Sequence, residues 1–357
     1  MSNCRNTNIE LLRIISMMLI VLHHLCKYAY LGDTASDVDA VRNIMVLGGK
    51  VGVDVFVLIS GYFLASGRIK VTSILRVLLE AWFYSLILGL VCAVLAPEVF
   101  GAKEFLKSFL PTNNGLPWFV TAYLGMYLVA PWLARLASTL AQAAYEKMLF
   151  VGFCVFSIVP TLSGCMFVTN DFSWFCYLFM IAGYIRRFDV SMLKVRWMCI
   201  GGGCFLVASV LVGSLIQLKF SGFAEYVTYF ANMYTVPTVF VSIGLFCYFK
   251  NLEIPTVKWI NLAAKGAFGV YLIHENYFMR KLLWPSFDFV FTGGVISEVF
   301  AALVVVVVLY AILTAIDLLR LYLLEKPFFL FFQNRFGNWF ERCDAILNGS
   351  VAVHKNE

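Results

Sequence analysis

Charge is what this sequence has least of. Asp, Glu, Lys and Arg supply 13% of its 357 residues, while 61% are apolar and 17% aromatic. Ordinary soluble domains carry about 25% charged and roughly 45–50% apolar residues. A soluble core of this size could not cover so much apolar surface with so few charges. The composition excludes a soluble enzyme, a disordered tail and a nucleic-acid reader. The solvent that fits is a lipid bilayer. A basic block is also missing. The net charge of +6 comes from 27 Lys and Arg that lie between apolar runs, where the loop charges of a membrane protein belong. No nucleic-acid partner is implied.

Several other features are absent. The ten cysteines, at 4, 26, 92, 154, 165, 176, 199, 204, 247 and 343, form no C-x-x-C and no Cys/His cluster. Most sit inside apolar runs and read as small hydrophobes, so neither a disulfide frame nor a metal site is expected. The run from Ile9 to Leu25 carries Arg13 and has no A-x-A cleavage signal after it, so it reads as a retained first span. No hydrophilic stretch is long enough for a soluble domain, and no internal repeat is visible.

What is present is a series of apolar runs near the length of about 20 residues that a span needs. Ten fall at 9–30, 49–66, 72–96, 117–136, 146–164, 172–186, 197–217, 226–249, 263–284 and 293–322. The expected fold is all-α, a polytopic membrane bundle of about ten helices. Placing the N-terminus in the cytoplasm puts 19 of the 27 Lys and Arg inside and 8 outside. That bias favours an even number of spans and both termini cytoplasmic; the expected location is the plasma membrane. Residues 1–335 form the expected transmembrane domain and 336–357 a short cytoplasmic tail. The run Phe328 to Phe332 is expected to lie along the inner interface. The sequon at Asn348-Gly349-Ser350 falls on the inner side and reads as chance.

Ionisable groups inside spans are costly and are functional candidates by default. The first span holds Glu10, Arg13, His23 and His24. Arg13 and His24 are eleven residues apart. That is close to three turns, so they share one face with a rise of about 16 Å between them. Glu10 can pair with Arg13 one turn away, and His23 points off that face and reads as structural. His274, in Tyr271-Leu272-Ile273-His274-Glu275, is expected at a depth similar to His24, which suggests one polar cavity. Glu275 is adjacent in sequence but is expected to point to another face, so it need not be the partner of His274. Asp54, in the second span, would either orient a histidine or sit as a helix-start carboxylate. Ser60-Gly61 reads as a close helix contact, and Arg76 with Glu80 as an i, i+4 pair.

At these residues the chain resembles the integral-membrane acyltransferase family 3, whose members O-acylate sugars and surface polysaccharides. Four segments carry the likeness in order: Glu10-Leu11-Leu12-Arg13 with His24; Gly52-Val53-Asp54-Val55-Phe56 with Ser60-Gly61-Tyr62; Pro117-Trp118-Phe119 with Tyr123 and Pro131; and Tyr271-Leu272-Ile273-His274. Glu325-Lys326-Pro327 is a weaker echo. Many members have paired arginines at the start of span three, where this chain places only Arg76 well. The resemblance implies an acyl-CoA donor, usually acetyl-CoA, entering from the cytoplasm. It also implies an acceptor hydroxyl on a cell-surface or lipid-linked glycan.

Acyl transfer needs a base at the acceptor oxygen and a stabilised oxyanion. His24 is the expected base, with an acyl-imidazole intermediate as its competing role. Arg13 would hold donor phosphate or polarise the acyl carbonyl. His274 would orient acceptor or thioester, with Glu10, Asp54, Ser60, Arg76, Tyr271 and Glu275 in support. Arg186 and Arg187, with Lys194 and Arg196, either grip nucleotide phosphates or merely set topology. No metal cofactor is called for, and a homo-oligomer stays open. Other classes weighed are a flippase of lipid-linked sugars, a glycan polymerase or ligase, and a receptor or scaffold. The lack of repeats, the short outer loops and the Arg13–His24 face count against them in turn.

Overall fold

The computed structural model describes residues 6–29, 40–65, 69–110, 116–166, 168–188 and 190–348. Cys4, Arg5, Arg68, Lys355, the span ends at 30 and 66, and the last two sequon positions lie outside them. Among the described residues the chain is helical throughout, without a strand.

Helix α1 (Thr7–Tyr28) is followed by a short α2 (Ala40–Val46) leading into α3 (Gly48–Leu64). Then come α4 (Val71–Leu95), the short α5 (Ala102–Lys107) and α6 (Trp118–Thr139). Pro117 precedes α6, and Pro131 lies inside it, a position that bundle packing tolerates in membrane helices. α7 (Gln142–Phe153) continues through a wide turn into α8 (Val159–Ser163), which stops at Gly164 with φ +67°. α9 (Asp171–Arg187) begins with a capping box between Asn170 and Ser173. α10 (Met192–Gln217) precedes α11 (Val236–Lys250), which carries Pro237 in its first turn. The short α12 (Lys258–Ala263), α13 (Ala267–His274) and α14 (Tyr277–Leu283) follow, then α15 (Val295–Arg320) and α16 (Lys326–Leu347).

Among the described residues, eight helical stretches are long and apolar enough to cross a membrane. The chain is therefore a polytopic helical membrane protein. The two other expected spans differ in kind. The sixth is α9, apolar but only 17 residues long. The ninth is broken: α13 ends at His274, and the Asn276 carboxamide oxygen accepts from the Phe278 and Met279 backbone N–H groups to start α14. The expected tail is also helical, since α16 runs through to Leu347 with a kink at Phe336.

The stretches of α3, α1 and α11 are the most buried of the long apolar ones, and the α7–α8 stretch, α4 and α10 the most outward-facing. α3 packs against α1 on one side and α9 on another, and α11, α13 and α15 also touch α1. Two glycines make the α3 contacts possible. A Cβ at Gly52 would strike the Ser16 carbonyl on α1, and one at Gly61 would crowd Phe179 and Ala182 on α9. Bare Cα positions allow the close van der Waals packing that holds helices together in lipid. The expected Ser60-Gly61 contact is thus a contact with α9. This packing fixes α1, and with it both Arg13 and His24, in the centre of the bundle.

Candidate functional site

The site is built where α1 meets the break after α13. His24 comes from the last turns of α1, and its side chain is 12% exposed. His274 is the last residue of α13 and is fully buried. His24 Nδ1 lies 3.0 Å from His274 Nε2. His274 Nδ1 lies 2.6 Å from the Val270 carbonyl oxygen, one turn back in its own helix. The helix break has a direct consequence here. Glu275 leaves helical geometry at φ −97°, ψ 1°, and its Oε2 reaches 3.4 Å from His24 Nδ1. Its Oε1 accepts from Arg280 Nη1 at 3.2 Å. Sequence periodicity turned Glu275 away because it assumed an unbroken helix. Asn276, a capping residue inside an apolar run, was the available signal.

Aromatic rings enclose these groups. The Tyr28 ring stacks on His24 with centroids 5.6 Å apart. Tyr271 meets His274 edge-on at 5.8 Å. Trp284 packs against both imidazoles, 5.8 Å from His274 and 6.4 Å from His24. Its indole is fully buried with an Nε1–H that finds no acceptor among the described residues. Sequence reading missed Trp284, which lies ten residues beyond His274 and past the break. The ligating atoms of His24, His274 and Glu275 all fall within 4.8 Å of one another. Two imidazoles and a carboxylate are a donor set that zinc or ferrous iron accepts. Hydrogen bonding accounts for the same geometry without an ion. His23 stands apart, with Nδ1 2.9 Å from the Val46 carbonyl.

The other end of α1 holds Arg13. Its Nε lies 3.9 Å from Glu10 Oε2, and its guanidinium sits 5.8 Å from the Phe56 ring centroid. Arg13 Nε is buried and makes no hydrogen bond among the described residues. Tyr123 donates to Ser60 Oγ at 3.2 Å, and Ser60 donates to the Phe56 carbonyl at 3.0 Å. The motif residues Phe56, Ser60 and Tyr123 are therefore one connected group.

Other candidates take different partners. Asp54 meets neither a histidine nor a helix start. It accepts from Trp174 Nε1 at 2.9 Å and from Ser242 Oγ at 3.4 Å, tying α3 to α9 and α11. Glu80 pairs with Arg320 at 2.9 Å rather than with Arg76, which reaches Glu325 at 3.9 Å. The expected i, i+4 pair gives way because Arg320 is buried and offers better geometry. Arg320 also bonds Asp317 at 2.7 Å and Glu325 at 2.6 Å. Arg186 donates to the Tyr62 carbonyl and lies over its ring. Arg187 donates to the Ala137 and Leu140 carbonyls at the end of α6. Both arginines thus tie helix ends together.

The family profile described as an acyltransferase domain, Acyl_transf_3, matches residues 6–315. The chain belongs to the acyltransferase 3 family. The matched span takes in α1 through most of α15, and so includes His24, His274, Glu275, Arg13 and Trp284. As an acyltransferase 3 protein it carries a membrane acyltransferase domain whose polar groups converge at two ends of one central helix. No curated protein and no solved structure matches the chain.

Proposed function

We propose that this acyltransferase moves an acyl group, acetyl in the first instance, from cytoplasmic acyl-CoA to a hydroxyl of a cell-surface or lipid-linked glycan. The observation that carries the reading is the meeting of His24, His274 and Glu275 at one end of α1, with Arg13 near the other. Arg13, with a buried Nε that makes no hydrogen bond among the described residues, is suited to an anionic group of the donor. The rise of about 16 Å from Arg13 to His24 suits a long donor whose phosphates sit at one end and whose thioester reaches the other. His24 takes the proton from the acceptor hydroxyl, the oxygen attacks the thioester carbonyl, and the carbon–sulfur bond breaks. The leaving thiolate receives the proton back from His24. The products are the O-acyl glycan and free CoA thiol. Plasma-membrane residence with both termini cytoplasmic belongs to the same reading.

The test uses purified full-length protein in detergent or nanodiscs, labelled acetyl-CoA and candidate glycans. His24→Ala is expected to lower kcat by about 10²–10⁴-fold, the range for a lost general base. Arg13→Ala is expected to raise KM for the donor. Retained transfer in both variants would overturn these assignments. Glycan translocation with no acylated product would favour a flippase instead.

A further inference from the structure

We infer that His274 acts through His24 as a positioning residue, fixing the tautomer that makes His24 Nε2 the proton-accepting atom. This rests on the acyltransferase reading above and assigns the atom at which its proton moves. The Val270 carbonyl can only accept, and His274 Nδ1 lies 2.6 Å from it. His274 Nδ1 therefore carries the hydrogen, and in the neutral ring Nε2 is left with a lone pair. That lone pair faces His24 Nδ1 at 3.0 Å, so His24 Nδ1 must be the donor. Glu275 Oε2, which makes no hydrogen bond among the described residues, approaches the same Nδ1 at 3.4 Å. Two acceptors thus converge on one ring nitrogen, and both require its hydrogen. The lone pair of neutral His24 is then on Nε2, the nitrogen outside this cluster.

The reverse arrangement would need His274 charged on both nitrogens in a fully buried position. That charge would be expensive to bury, and it would leave His24 with no base nitrogen. In the inferred arrangement, His24 becomes an imidazolium once Nε2 takes the acceptor proton. Its Nδ1–H already points between His274 and the Glu275 carboxylate. Glu275 supplies the opposing charge and is itself held by Arg280 at 3.2 Å. Holding the imidazole in one tautomer and stabilising its cation is the service a triad carboxylate renders to its histidine. Here the two duties fall on two neighbouring residues at a helix break.

The experiment combines kinetics with nitrogen NMR of full-length protein carrying ¹⁵N-labelled histidine. The protein has four histidines, so a His24→Asn spectrum assigns the His24 signals. The wild type is expected to show His24 protonated at Nδ1 and bare at Nε2. His274→Phe preserves a ring and removes the acceptor. It is expected to mix the His24 tautomers and lower kcat by about 10²-fold or more, with donor KM little changed. His274→Gln places a carbonyl oxygen near the lost Nε2 and is expected to recover at least about a tenth of wild-type kcat and the Nδ1–H tautomer. Wild-type His24 protonated at Nε2 would overturn the inference. So would a His274→Phe protein that loses activity with the His24 tautomer unchanged, since His274 would then act on substrate directly. If no form transfers acyl groups, the functional reading fails, yet the tautomer spectrum still decides the relay.

Discussion

Two buried tryptophans carry the same indole N–H into different surroundings. Trp174 donates to the Asp54 carboxylate at 2.9 Å, whereas the Trp284 N–H has no acceptor among the described residues. Replacing either by Phe removes a similar area, but only Trp174→Phe strands a buried carboxylate oxygen. An orphaned buried partner costs about 1–3 kcal/mol, and more when it is charged. Trp174→Phe is therefore expected to cost at least that much, and Trp284→Phe clearly less. Thermal unfolding in one detergent compares them, and equal losses would contradict the Asp54 assignment. Sequence alone offered Asp54 two roles and neither is the one it takes, because its partners come from α9 and α11, far along the chain. The histidine pair was legible earlier. Ionisable groups stand out against apolar spans, and helix geometry set Arg13 and His24 on one face.

The element that departs most from its sequence reading is the ninth span. Hydropathy marks 263–284 as one crossing, but a carboxamide at Asn276 caps a new helix inside it. The break turns Glu275 toward His24, a contact that a 3.6-residue repeat cannot foresee. Asn276→Ala removes the acceptor for two backbone N–H groups, and loss of such a cap costs about 0.5–2 kcal/mol. It is expected to lower kcat as well, because Glu275 and His274 adjoin the cap, while Asn276→Asp, another capping residue, is expected to keep most activity. Unfolding curves and single-turnover rates check both. The junction of α4, α15 and α16 depends on a different element-scale device. Arg320, with a side chain 7% exposed, gathers Glu80, Asp317 and Glu325. Removing one side of a buried ionic cluster costs about 3–5 kcal/mol, so Arg320→Ala is expected to abolish stable expression. Glu80→Gln, which leaves Arg320 two carboxylates, is expected to be milder by the same assay. Of Asp317, Arg320 and Glu325, sequence alone singles out only Glu325, in the Glu325-Lys326-Pro327 echo, and counts Arg320 as one more inner-side charge. Their convergence on Glu80 was not legible, since it needs the relative placement of two distant helices.

At the scale of the whole molecule, the scarce charges and the placement of helices make one argument about orientation. Lys and Arg are retained on the cytoplasmic side of membrane proteins, and the split of 19 to 8 is the reason to expect both termini on that side. The cysteines make this testable, because those among the described residues are free thiols. Cys165 is exposed and follows α8, after five expected crossings, whereas Cys343 lies in α16, after all ten. Five crossings from a cytoplasmic N-terminus place Cys165 outside, and ten place Cys343 inside. Two variants, each keeping one of these cysteines with the others replaced by Ala or Ser, can be treated in intact cells with a membrane-impermeant maleimide. Cys165 is expected to react before lysis. Cys343 is expected to react only after the membrane is opened. The reverse pattern would invert the bundle, placing the His24 end of α1 toward the cytoplasm and the Arg13 end outside. Donor entry at Arg13 from the cytoplasm would then be impossible, although the contacts among His24, His274 and Glu275 would be unchanged. Orientation thus decides which substrate arrives from which side, and the charge bias is the physical reason to expect acyl-CoA at the Arg13 end.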